Sequence, residues 1–168
     1  MSQLSLSLDS SLLVRDDQGR YLPATADQIL EAARYVIDQK IPRGTLFTSP
    51  ALVKDYLRTK LASFEHEVFS ALFLDSQNRL IEYVEMFRGT IDQASVYPRE
   101  VVKTALQYNA AAVIFSHNHP SGNSEPSQAD QLLTQRLKEA LALVDVRTLD
   151  HIVVGGEATT SFAERGLL

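Results

Sequence analysis

AAVIFSHNHPSGNSEPSQAD, residues 111–130, changes character twice within twenty residues. Ala111 to Ser116 is a short, continuous apolar run, the pattern of a strand buried on both faces. His117 to Pro126 is dense in Pro, Gly, Asn and Ser and predicts a loop. From Ser127 to Leu143 the apolar residues Leu132, Leu133, Leu137, Ala140 and Leu141 recur at helical spacing. A buried strand that feeds a loop and then a helix belongs to an α/β fold, and it delivers two histidines at the strand end.

The flanking sequence has the same alternation. Upstream, Glu67 to Leu74 and Leu80 to Phe87 are strand-like runs joined by Asp75-Ser76-Gln77-Asn78, a turn composition, so a hairpin is predicted. Pro98 to Asn109 carries a proline near its start and Val101, Val102, Ala105 and Leu106 on one side, the signature of a helix. Downstream, Val146 to Val154 is a β-branched strand ending at Gly155-Gly156. Strands and helices alternating over residues 67 to 154 imply an α/β domain with a central sheet. Two further helices precede it. One follows Thr25, with Ile29, Ala32, Ala33 and Val36 as its apolar set; the other follows Ser49-Pro50, with Leu52, Val53, Tyr56, Leu57 and Leu61. The first 22 residues show no sustained period, and Asp16-Asp17-Gln18-Gly19 reads as a turn between short extended pieces. The expected organisation is an N-terminal arm and helix over residues 1–44 and one domain over 45–168.

Composition narrows the function. The chain has 168 residues, 45% of them hydrophobic, which suits one domain with a real core. There is no cysteine, which removes disulfides, thiol catalysis and thiolate zinc sites. No stretch reaches the roughly 18 apolar residues of a membrane span, and the N-terminus lacks the order of a secretory signal, so a soluble cytoplasmic protein is expected. A net charge of -5 opposes a non-specific grip on phosphates. Lys40, Arg43, Lys54, Arg58 and Lys60 give a local basic bias that reads as a solvated face.

The chemistry concentrates in His117-Asn118-His119, ten residues, then Asp130. Histidines at i and i+2 of extended chain project to one side, so both imidazoles reach one ion about 2.0 to 2.1 Å away. An aspartate from the first turn of the next helix adds a carboxylate, and three protein ligands leave the fourth tetrahedral position for water, as in catalytic rather than structural zinc sites. A general base is also needed. Glu67, at the start of a strand, is a natural source, although periodicity does not choose it over Glu65, Glu82 or Glu85. Ser127-x-x-Asp130 is in addition an ordinary helix-capping pattern, compatible with a metal role because the helix dipole favours an ionised Asp130. Asn118 and Pro120 read as turn-shaping residues, and Gly122 as a position of positive φ or of room for a substrate backbone. His151 reads as a satisfied core histidine and His66 as exposed. Arg99 and Glu100 suit capping and local ion pairing.

His117-x-His119, ten residues and Asp130, with Ser127 three residues earlier, resembles the JAMM metallopeptidase signature; SHNHPSG followed by EPSQAD resembles its RadC-like branch. The likeness extends through EVFSALFLDSQNRLIEYVEMFRGT, YPREVVKTAL, LDHIVVG and SFAERGLL, covering about residues 45 to 168. It implies a single MPN/JAMM domain of cytidine-deaminase-like architecture, with a central mixed sheet flanked by helices. It further implies zinc on His117, His119 and Asp130, Glu67 as general acid/base, Ser127 as the hydroxyl that helps hold the oxyanion, and a peptide or protein substrate cut at a peptide or isopeptide bond. Longer RadC-like proteins carry a helix-hairpin-helix DNA-binding region; residues 1–44 show no such glycine-bearing pair, so a short form is expected and direct nucleic-acid binding is not. The family's link to DNA repair is correspondingly weak for this chain.

Three rival functions fit the sequence less well. A zinc nucleobase deaminase needs P-C-x-x-C, which a cysteine-free chain lacks. An HNH nuclease spreads those letters over a ββα-metal unit rather than placing them consecutively before a proline. A non-catalytic MPN-like scaffold typically loses a metal ligand, whereas here the whole constellation is present.

Overall fold

The computed structural model describes residues 12–47, 49–89 and 95–168. The chain forms two compact units, Met1–Gln39 and Lys40–Leu168. The first eleven residues, read above as lacking a signal, lie outside the described residues.

In the first unit β1 (Leu13–Arg15) pairs antiparallel with β2 (Tyr21–Pro23). The turn between them is the Asp16 to Gly19 cluster: the Asp16 carboxylate accepts from the backbone N–H groups of Gln18 and Arg20, both at 2.9 Å. Helix α1 (Ala26–Lys40) starts at a reciprocal cap in which Gln28 N–H donates to Thr25 Oγ1 and Thr25 N–H donates to Gln28 Oε1. The apolar set expected for α1 is not a buried face: Ala32, Ala33 and Val36 are exposed, and no residue of the helix is buried.

The second unit holds the main sheet. Helix α2 (Pro50–Leu61) begins at Ser49, whose hydroxyl accepts from Leu52 N–H, and buries Val53, Tyr56, Leu57 and Leu61. Strands β3 (Val68–Leu74) and β4 (Leu80–Arg88) form the predicted hairpin. Its turn is closed by the Asp75 carboxylate, which accepts from Gln77 and Arg79 N–H. Helix α3 (Pro98–Gln107), strand β5 (Ala112–Asn118), helix α4 (Gln128–Ala142), strand β6 (Arg147–Gly155) and strand β7 (Ala158–Ser161) follow. The order across the sheet is β4-β3-β5-β6-β7, and β5 with β6 is its parallel pair, so the sheet is mixed. The chain thus has the α/β fold expected of a single JAMM-type domain.

Alternation along the strands divides the core into two faces. Phe69, Phe73, Val113 and Phe115 pack with Val101 and Ala105 of α3 and Leu137 and Leu141 of α4. On the opposite face α2 lies against β5 and β6, where Val53, Leu74, Ile114 and Ile152 line one cavity. Two features depart from the sequence reading. Strand β5 continues through His117 and Asn118, which local composition assigned to the loop, because both residues pair with β6 at Val153 and Val154. Strand β7 is a short return from a tight turn, in which Gly155 faces Ala158 and Gly156 takes φ +58°.

Candidate metal centre

The centre forms where β5 ends and α4 begins. His117 is the last-but-one residue of β5, buried on the α3/α4 face, with its ring stacked on Phe69 at a centroid distance of 6.4 Å. His119 lies just past the strand, but its N–H still donates to Val154 O at 2.8 Å, so the extended geometry persists and the two imidazoles share a side. Asp130 is the third residue of α4.

These three side chains converge. The Nε2 atoms of His117 and His119 are 2.9 Å apart. His117 Nε2 is 3.4 Å from Asp130 Oδ1, and His119 Nε2 is 3.5 Å from Asp130 Oδ2. Ligands bonded to zinc at about 2.0 to 2.1 Å in tetrahedral geometry are separated by about 3.3 Å. The three side chains therefore approach closely enough to share one ion of that size, with one carboxylate oxygen facing each imidazole. Among the described residues it is the group of His, Cys, Asp and Glu side chains compact enough to hold a metal ion.

Hydrogen-bond direction supports the same reading. The Asn123 carbonyl, 2.7 Å from His119 Nδ1, only accepts, so His119 carries its proton on Nδ1 and turns a bare Nε2 toward the other two groups. A lone pair facing a carboxylate calls for a cation. Without a metal that need falls on a proton: the hydrogen bond with Asp130 raises the His119 imidazole above its ordinary value, against the effect of burial. Burial likewise works to raise the Asp130 carboxyl, but the imidazoles of His117 and His119 and the Ser127 hydroxyl outweigh it and hold Asp130 well below the usual carboxylate range.

Asp130 is oriented by a capping box. Asp130 N–H donates to Ser127 Oγ at 3.1 Å, while Ser127 N–H and its hydroxyl both donate to Asp130 Oδ2 at 2.7 Å. The capping reading of Ser127-x-x-Asp130 is realised without moving Asp130 from the triad. The connecting loop is held close by Gly155: a Cβ there would stand 2.4 Å from Ser124 N and 2.6 Å from the Asn123 carbonyl carbon, so no other residue permits this approach. Gly122 takes φ +81°, the left-handed conformation expected of it.

A cleft of about 1070 Å³ opens beside the triad, lined by Glu65, Glu67, His119, Ser127 and Asp130, with Tyr97 and Leu133 among its apolar wall. Of the four glutamates considered as base, Glu65 and Glu67 line this cleft; Glu82 is ion-paired with Arg43 and Glu85 with Arg88. The Glu67 charge also adds to the upward shift of His119.

Three further residues have settings that local composition only partly foretells. Asn118, read as a turn former, is buried and points away from the histidines. Its Oδ1 accepts from Val68 N–H at 2.8 Å, and its Nδ2 donates to the carbonyls of Phe64 and His66. His151 is the satisfied core histidine expected of it, fully buried, with Nε2 2.8 Å from His117 Nδ1 and Nδ1 2.6 Å from Thr134 Oγ1. Burial pushes its imidazole well below the ordinary value. His66 is not exposed as expected: it is half-buried, and its Nε2 is shut off from solvent.

Comparison with known proteins identifies a family. The RadC-like JAB domain model matches residues 47–167. Two UPF0758 proteins of Vibrio cholerae are each 61% identical to this chain, over 141 and 142 residues, covering 84% of it and 89% and 90% of their own lengths. A UPF0758 protein of Leptothrix cholodnii is 61% identical over 140 residues, which is 63% of that protein.

Proposed function

The chain belongs to the RadC-like JAB domain family, and on that premise we propose that it is a zinc-dependent hydrolase of peptide or isopeptide bonds. One observation carries this reading: two imidazole nitrogens and a carboxylate, each oriented by its own partners, meet at zinc-ligand spacing on the wall of an open cleft. Zinc held by His117, His119 and Asp130 would supply Lewis acidity and bring water toward ionisation near neutral pH.

The protein's own groups account for the remaining chemistry. Glu67 lines the cleft beside His119, where its carboxylate can take a proton from the attacking water and return it to the leaving nitrogen. Ser127 lines the same cleft; a hydroxyl turned from Asp130 toward it would meet the charge that develops on the carbonyl oxygen. Tyr97 and Leu133 offer apolar surface against which an extended peptide would be oriented. No helix among the described residues is long and apolar enough to cross a membrane, and the net charge of -5 favours a polypeptide over a phosphate backbone as the substrate.

Proteome-scale cleavage profiling of the zinc-loaded chain against Glu67→Gln tests the proposal. New termini that appear with the wild type and are absent with the variant support it. A zinc-loaded wild type that generates none would make the domain a binding scaffold.

A further inference from the structure

Behind the metal-facing triad runs a buried chain of polar contacts whose direction can be followed from one end. It starts at the Asp130 backbone carbonyl, 2.6 Å from Thr134 Oγ1. A carbonyl only accepts, and an oxygen–oxygen approach of this length needs a proton, so the single hydroxyl proton of Thr134 is committed there. The next contact, Thr134 Oγ1 to His151 Nδ1 at 2.6 Å, must then be donated by the ring, placing a proton on His151 Nδ1. His151 is enclosed by Phe69, Phe115 and Phe162, the last stacked on it at 4.7 Å, and an imidazole in such apolar surroundings is held neutral with one N–H. Its Nε2 is therefore an acceptor. His117 Nδ1, 2.8 Å away, must donate to it, and the lone pair of His117 is left on Nε2, the atom that faces His119 and Asp130.

We propose that His151 is a positioning residue of the metal centre: by accepting the Nδ1 proton of His117 it fixes that ligand's tautomer and ring angle, with Thr134 setting the direction of the chain. The assignment rests on the metal reading given above. It differs from the common arrangement in which a carboxylate or backbone carbonyl steadies a ligating histidine, because the steadying group is a second neutral imidazole. The arrangement links two ligands. Thr134 donates to the carbonyl of Asp130, so the backbone of one ligand and the ring of another are held by one relay of four groups.

Two measurements test this. Long-range proton–nitrogen spectra of the metal-free chain at alkaline pH should show His117 and His151 each protonated on Nδ1 and bare on Nε2; a proton on His117 Nε2 would overturn the proposal. Zinc affinity measured by chelator competition should fall about 10 to 100-fold in His151→Leu, which keeps an apolar volume but removes the acceptor. His151→Gln should recover most of that loss, because an amide oxygen can accept from His117. Thr134→Val, close to isosteric and not dependent on refilling the His151 site, should lose affinity and release His151 into a mixture of tautomers. Unchanged affinity in a folded His151→Leu, or a Gln variant no better than Leu, would overturn the assignment while leaving the zinc reading intact. A wild type that takes up no zinc would overturn both.

Discussion

Asn118, set between the two histidines in sequence, accepts a hydrogen bond from Val68 N–H at 2.8 Å on the sheet face opposite to theirs. One tripeptide thus turns two imidazoles toward Asp130, His119 at the cleft wall and His117 buried behind it, and through its middle residue ties down the approach to β3 that carries Glu65 and Glu67. Asn118→Ala leaves Val68 N–H and two carbonyls to find other partners, a cost of about 1 to 3 kcal/mol for a buried donor left unsatisfied. Zinc content should stay near that of the wild type while turnover falls, because the glutamates lose their anchor. Metal content and turnover falling in strict proportion would show that Asn118 serves the ligands instead.

Removing a ligand should remove the metal. The wild type is expected to bind about one zinc per chain and His119→Ala to bind it far more weakly, with elemental analysis after dialysis as the measurement. Equal metal in both proteins would refute the assignment of the centre.

Ser127→Ala separates two roles that coincide in the structure. Loss of a cap costs about 1 kcal/mol of stability. Loss of an oxyanion donor lowers kcat by roughly 100 to 1,000-fold. Both effects are expected, with zinc retained; a stability loss with unchanged kcat would leave Ser127 a cap alone.

Glu67→Gln should fold and bind zinc as the wild type does and lose nearly all hydrolysis, since an amide of the same size cannot take up the proton. Glu65 lines the same cleft, so Glu65→Gln is the control. If Glu65→Gln rather than Glu67→Gln abolishes turnover, the base has been assigned to the wrong neighbour.

Gly155→Ala forces a methyl group against the backbone of Asn123 and Ser124. Overpacking of this kind costs about 1 to 3 kcal/mol. The loop it displaces carries the carbonyl that orients His119, so zinc affinity should fall together with Tm. A variant with wild-type Tm and affinity would show that the loop yields freely.

Much of this architecture is legible in sequence because local pattern decides it. The caps at Thr25, Ser49 and Ser127, the Asp75 turn and the apolar run of β5 each declare themselves within a few residues, and the spacing of His117, His119 and Asp130 marks the three groups that the fold brings together. What escapes is whatever depends on which strands are neighbours. That His151 lies beside Phe115, and so behind His117, follows from the β5–β6 register, and no pattern within either strand encodes it. Asn118 reads as a turn former because composition is blind to the partner 50 residues away. Polar letters after an apolar run place the start of the loop at His117, whereas pairing with β6 carries the strand onward. In α1 the opposite error occurs: helical spacing of apolar residues does not guarantee a surface to bury them.

The capping box at Ser127 and Asp130 has a thermodynamic consequence. Asp130 both closes the first turn of α4 and presents a carboxylate to the two histidines, so a cation bound there is also a ligand of the folded state, stabilising it by RT ln(1 + [M]/Kd). The start of α4 should then be where metal occupancy is felt as order. Amide hydrogens of Gln128 to Gln131 should exchange more slowly as zinc is added, whereas those in the middle of β3 should respond only through global stability.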